Sequence, residues 1–302
     1  MCIIANKIES VSKTKIFVAT NPTKTKQITI YSNFVNSVVN NNAMILPIPC
    51  SKNVDFIDLS NYKHIFTDCQ QSFYDPTNIS TCKSKSVSMQ NNTKLEIFNI
   101  GSYQVSLALN FEQLLNVNED LCELTEDLKK MLRKSYSESQ WGFIICKLKK
   151  GSENYHPFAY SHNIVDNKLF IPTKHFHVKL HEITFQEYWK TFDLLKTWLY
   201  SNIWTNYEIA DDWEHDIYVL NFDINKNQYI TSFNSCKEIW LCESIAHFQN
   251  IELNENIIKN WLNQARRNVQ FSKINFDFDE CKLFTKIVIN GSHPNIDIIF
   301  AL

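Results

Sequence analysis

Short apolar runs separated by polar turns fill the first half of the chain. Residues 3–8, 15–19, 27–31 and 43–48 are rich in Ile, Val and Phe, and Asn21-Pro22-Thr23 and Asn40-Asn41-Asn42 interrupt them. Runs of this length between turn residues predict strands. Residues 95–100 and 103–109 flank Gly101-Ser102, which predicts a hairpin. The stretch 80–93 is dominated by Ser, Lys, Asn and Thr and reads as a loop.

Further along, the period changes. Leu124, Leu128, Met131, Leu132 and Tyr136 share one helical face, with Glu and Lys opposite, and predict a helix over 125–136. Residues 184–200 carry Phe185, Tyr188, Trp189, Phe192, Leu195, Trp198 and Leu199, too apolar for a surface helix. Ser235 and Glu238 have capping-box spacing ahead of Ile239, and Asn254 precedes Ile257, Ile258, Trp261, Leu262 and Ala265 at helical spacing. Strands return at 141–148, 168–171, 215–221, 283–289 and 296–302. Without a regular strand–helix alternation, the expected class is α+β. It would have a largely antiparallel sheet and about four helices, mostly in the second half. The 302 residues are read as one unit. The alternative division is a β-rich region over 1–110 and a mixed α/β region over 111–302.

Composition narrows the function classes. The net charge is -2 and only Arg133, Arg266 and Arg267 supply guanidinium groups, which disfavours nucleic acid as the partner. Abundant Lys, Asn and Ile with scarce Gly and Arg suits an AT-rich coding genome. The four glycines, Gly101, Gly142, Gly151 and Gly291, form no phosphate-cradling loop, so P-loop and Rossmann nucleotide binding are disfavoured. Nine scattered cysteines without C-x-x-C pairs suggest free thiols in a reducing compartment. With no signal peptide or membrane span in the pattern, the expected location is the cytoplasm, or a particle assembled from it.

Candidate chemistry concentrates between 154 and 218. His156, His162, His175, His177, His181 and His215 fall there, with Asp211, Asp212 and Asp216 nearby. In an extended segment, His175 and His177 would face one side of a sheet. Joined by a third ligand such as His215, Asp212 or Asp216, they could hold zinc with an open position for water, the arrangement of a metal-dependent hydrolase. A second candidate is Cys2: removal of Met1 would leave its thiol beside its own α-amino group, as in N-terminal nucleophile hydrolases. Bile-salt-hydrolase-like members of that class also place an Arg shortly downstream, and the first one here is Arg133.

The runs Ala43-Met44-Ile45-Leu46-Pro47-Ile48-Pro49, Pro172-Thr173-Lys174-His175-Phe176-His177 and Asp212-Trp213-Glu214-His215-Asp216-Ile217-Tyr218 stand out. Together they resemble a family of uncharacterised proteins with an AMILPIP-type strand and later PTKHFH- and DWEHDIY-like segments. The resemblance spans roughly residues 1–220 and implies no activity. The leading functional expectation is therefore a non-catalytic binding or structural component, in a larger particle such as a virion. It would meet a protein partner or a second copy and no membrane. The metal-dependent hydrolase and the Cys2 hydrolase are the alternatives.

Overall fold

Most strands of the two main sheets place apolar side chains on both faces, and the layering of the molecule follows from this. The computed structural model describes residues 3–72, 97–101, 103–118, 121–136, 140–177, 209–220, 255–278 and 284–302. The first sheet runs in the spatial order β1 (Ile3–Ile4), β4 (Asn42–Ile48), β8 (Gly142–Leu148), β7 (Tyr103–Ala108), β6 (Phe98–Ile100), each pair antiparallel. In β4, Met44, Leu46 and Ile48 face one core while Ala43 and Ile45 face another. That two-sided burial explains why the run is continuously apolar instead of alternating with polar residues.

The second sheet runs β13 (Phe284–Pro294), β12 (Ile209–Leu220), β2 (Ile8–Thr20), β3 (Lys26–Ser37), β10 (Phe158–Asn163), β5 (Asp55–Asp58), with β9 (Gly151–Asn154) also on β3. Only the β12–β2 pair among these is parallel. Ile16 and Val18 face the first sheet, and their neighbours Phe17 and Ala19 face away from it. Strands from before and after residue 110 are interleaved in both sheets.

Three cores separate four layers. Between the sheets lie Ile16, Tyr31, Met44, Leu46, Ile144, Phe158 and Tyr160, among others. Outside the second sheet, α1 (Ile65–Gln71), α4 (Glu255–Asn268) and a 3-10 turn at Phe271–Lys273 cover Phe17, Ile28, Ile30 and Tyr218. Outside the first, α2 (Phe111–Leu115) and α3 (Glu126–Ser135) cover Ile45, Phe143 and Ile145. Local chemistry starts both of those helices. The Asn110 side chain accepts from the Gln113 N–H at 2.9 Å, and Thr125 Oγ1 from the Leu128 N–H at 3.3 Å.

The α+β class with largely antiparallel sheet is what the hydrophobic pattern predicts. The helix expected at 125–136 is α3, and the one expected after Asn254 is α4. The 100–103 hairpin is present, with Ile100 opposite Tyr103 and Gly101 at φ +56. A Cβ at Gly101 would run into the His156 ring, so close packing as well as φ demands glycine there. The short helices α1 and α2 and the strands β5, β9 and β10 carry no separate signal in the pattern. The expected loop at 80–93 and the helices at 184–200 and after Ser235 lie outside the described residues. No helix among the described residues is long and apolar enough to cross a membrane.

Candidate functional site

The histidine segment is reached through a small third sheet. Strand β11 (Lys168–Ile171) pairs antiparallel with β14 (Ile298–Ala301). A turn at Asp166-Asn167, both at positive φ, leads into it. The fully buried Gln27 of β3 fixes β11 from the other side: its Nε2 donates to the Phe170 carbonyl at 2.6 Å. Its Oε1 accepts from the Phe170 N–H at 2.9 Å. One side chain thus does for Phe170 what a neighbouring strand would do.

Residues 173–175 are then held by the short connection 295–297. Asp297 Oδ1 accepts from the Thr173 and Lys174 N–H groups, each at 2.9 Å, and Oδ2 accepts from the Tyr136 hydroxyl at 2.5 Å. Thr173 Oγ1 donates to the Ile296 carbonyl at 3.0 Å. Asn295 takes His175 in both directions, accepting from its N–H at 2.6 Å and donating to its carbonyl at 2.7 Å. Burial raises the Asp297 carboxyl above the usual carboxylate range, although Tyr136 and the two backbone donors pull the other way. Burial, and next the Asp297 charge, raise the Tyr136 hydroxyl.

Phe176 is joined to the first sheet. The Ile4 N–H donates to its carbonyl at 2.7 Å, and Ile3 bridges it in parallel, so residue 176 extends the β1 edge. With Phe176 packed against the core under α2 and α3, alternation sends its two neighbours to the opposite side together. The His175 and His177 rings meet there edge to face, centroids 4.2 Å apart and planes at 88°. Both residues are half-buried.

The other candidates are placed less completely. Cys2 lies outside the described residues, although it precedes Ile3, which bridges Phe176. The backbones of Asp212 and His215 are on β12, and their side chains lie outside the described ones. Asp212 sits at the irregularity between Ala210 and Trp213, near Ile209, which pairs with Pro294 beside Asn295. His215 pairs with Ile289, six residues from Asn295, which is about 20 Å along an extended strand. Among the described residues no group of three His, Cys, Asp or Glu side chains forms a metal-binding set.

Two of the histidines serve other ends. His162 is 1% exposed in β10, and its Nδ1 lies 2.9 Å from the backbone carbonyl of Asn163. Burial lowers its pKa from 6.5 to about 4, so the ring is neutral and Nδ1 is the donor. His156 Nδ1 makes the same contact with the Pro157 carbonyl at 2.8 Å, under the Gly101 turn. Gln27, Asn295 and Asp297, whose amide and carboxylate groups build the segment, carry no signal in the sequence. They are single polar residues, and the partners they hold lie 120 to 161 positions away.

The arrangement defines a four-layer class, helices on sheet on sheet on helices, with the histidine segment tied between the edges of the two sheets. No protein-family model matches the chain. Among solved structures it is similar to baculovirus P35, at a TM-score of 0.42 and 14% identity, covering 99% of this chain and 98% of that one. A mutated baculovirus P35 after caspase cleavage gives a TM-score of 0.44 and 11% identity over 95% and 99% of the two chains. The caspase-8/P35 complex gives 0.40 and 14% over 95% of each. At these scores and identities the likeness carries no statement about what this chain binds.

Proposed function

We infer that the chain is a non-catalytic binding protein that acts through its surface on a protein partner. The observation that supports this best is the use made of the polar groups around the histidines. Asp297, Asn295 and Thr173 direct their hydrogen bonds to backbone groups of adjoining segments, and Tyr136 ties α3 to the same point. These groups hold a scaffold in shape. Alongside, β14 reads Ile298-Ile299-Phe300-Ala301, pairs with β11 alone among the described residues, and leaves Ile299 52% exposed. A short apolar strand at a sheet edge is a ready docking point for another strand.

Light scattering on size-exclusion eluate tests the reading, with a second copy as the first partner tried. Association beyond the monomer at tens of micromolar, abolished by Ile299→Lys, is the expected result. A strict monomer that also brings no partner through purification would overturn it. So would turnover of ester or phosphoester substrates that falls with His175→Ala.

A further inference from the structure

We propose that the two-stranded sheet β11–β14 is an acid-released flap, opened by protonation of His162 beneath it while the two main sheets stay folded. The proposal does not depend on what the chain binds.

Strand β11 covers one end of the β3–β10 pair. Gln27 of β3 stands opposite His162 of β10 in the register, and directly opposed residues share a face. The Gln27 amide holds both backbone groups of Phe170, and Leu169 and Ile171 enter the core between the sheets alongside Tyr160. The link 164–167 joins β10 to β11. It is tied by the Ile164 N–H donating to the Thr25 carbonyl at 2.8 Å and by a bridge from Val165 to Lys168. The strand held by the Gln27 clamp is thus the cover over His162.

A second proton has no place on that ring while the cover is shut. The ring is 1% exposed and stacks on Tyr160 with centroids 6.1 Å apart. Its Nδ1 donates to the Asn163 carbonyl, and Nε2 is buried with no hydrogen-bond partner among the described residues. Protonating Nε2 would set an unpaired charge in the core. Once β11 lifts, water reaches the ring and it titrates as an ordinary histidine. Opening a small sheet locally takes less free energy than unfolding the whole molecule.

The groups around His162 fix the sign. Tyr160 on β10, Cys146 on β8 and Asp297 beside β14 are the titratable ones on its side, and Cys146 and Asp297 both act on Tyr160. Thr20 of β2, next to Gln27, carries no charge, and Lys168 of β11 is exposed. The Lys26–Asp55 ion pair lies on the reverse face, because Lys26 alternates with Gln27. Burial lowers His162 to about 4 in the closed state, against 6.5 when open, so acid favours opening. Asp297 is raised by burial and works the other way. Through His162 alone, the opening constant rises roughly 20-fold from pH 7 to pH 5.

Native-state hydrogen exchange of the full chain at those two pH values tests the proposal, read by peptide mass and corrected for intrinsic rates. Asp297→Asn protein is the reference, because its neutral amide removes the opposing carboxyl. In it, β11 and β14 should exchange through an opening that low urea does not promote, since little surface is exposed. That opening should increase roughly 20-fold at pH 5. Strands β4 and β8 should stay better protected at both pH values and respond to urea. Adding His162→Phe, which keeps a ring against Tyr160 and has no nitrogen to protonate, should abolish the rise. The same factor should separate wild type from His162→Phe. Exchange of β11 and β14 only together with β4 and β8 overturns the proposal, as does absence of the rise or a rise that survives His162→Phe. Should the Phe variants not fold, the first two of these outcomes decide it in the reference protein.

Discussion

His162 and Asp297 show how burial acts on single ionisable groups, and they act on stability with opposite sign. The folded pKa of His162 is lowered, from 6.5 to about 4. Unfolded chains therefore bind the extra proton in that window, and stability contributed above pH 6.5 is lost as pH falls towards 4. At pH 5 the loss is about 2 kcal/mol. Urea unfolding of wild type and His162→Phe at pH 7 and pH 5 measures it: the variant should show the smaller drop. Asp297 has a raised folded pKa, so its contribution is complete below the ordinary 3.8 and is lost as pH rises through the folded value. Asp297→Asn, which is neutral throughout, should remove that slope. Asp297→Ala leaves two backbone donors and the Tyr136 hydroxyl without their acceptor and should cost about 3–5 kcal/mol by the same measurement.

At the scale of elements, the clamp between β3 and β11 is the joint most sensitive to a single change. Gln27→Leu preserves approximate volume and removes both hydrogen bonds to Phe170. Two buried backbone groups would be left unpaired, at about 1–3 kcal/mol each. A loss of about 2–5 kcal/mol in urea unfolding is expected. Hydrogen exchange should show β11 and β14 losing protection before β4 and β8. Elements marked by their own residues are legible without the structure: β4 and β8 by a continuous apolar run, the 100–103 hairpin by its turn, α3 and α4 by a helical period. Strand β10 is not, because Phe158, Tyr160 and His162 alternate with Ala159, Ser161 and Asn163 in a run that mixes polar and apolar residues on both faces. The helix α1 spans only about two turns, too short for its period to register.

At the scale of the whole molecule, one cysteine among the described residues reports on each core. Cys146 lies between the sheets, Cys69 under α1 and α4, and Cys122 under α2 and α3. Burial raises all three thiols, Cys122 to about 12, so none is an effective nucleophile in the folded state. Cys50 is partly exposed. In a maleimide time course read by peptide mass, Cys50 should label ahead of these three in native protein. As urea is raised, Cys146 should be the last of the three to label, because a sheet covers it on each side. Earlier labelling of Cys146 than of Cys122 would show that the two sheets part before the helical layer lifts.

By itself the sequence determined the strongly patterned strands and helices, the α+β class, and the pairing of His175 with His177 on one side of extended chain. Each of these depends on residues close together along the chain, where a period of two or of 3.6 can be read. Only the tertiary structure decided that the AMILPIP strand, the PTKHFH segment and the DWEHDIY strand run into one another. The first reaches the second through Ile3 and Ile4, and the third does so through β13 and Asn295. Those joints are made by lone polar side chains and backbone groups from distant positions. Their energy comes from being removed from water together, which no local pattern records.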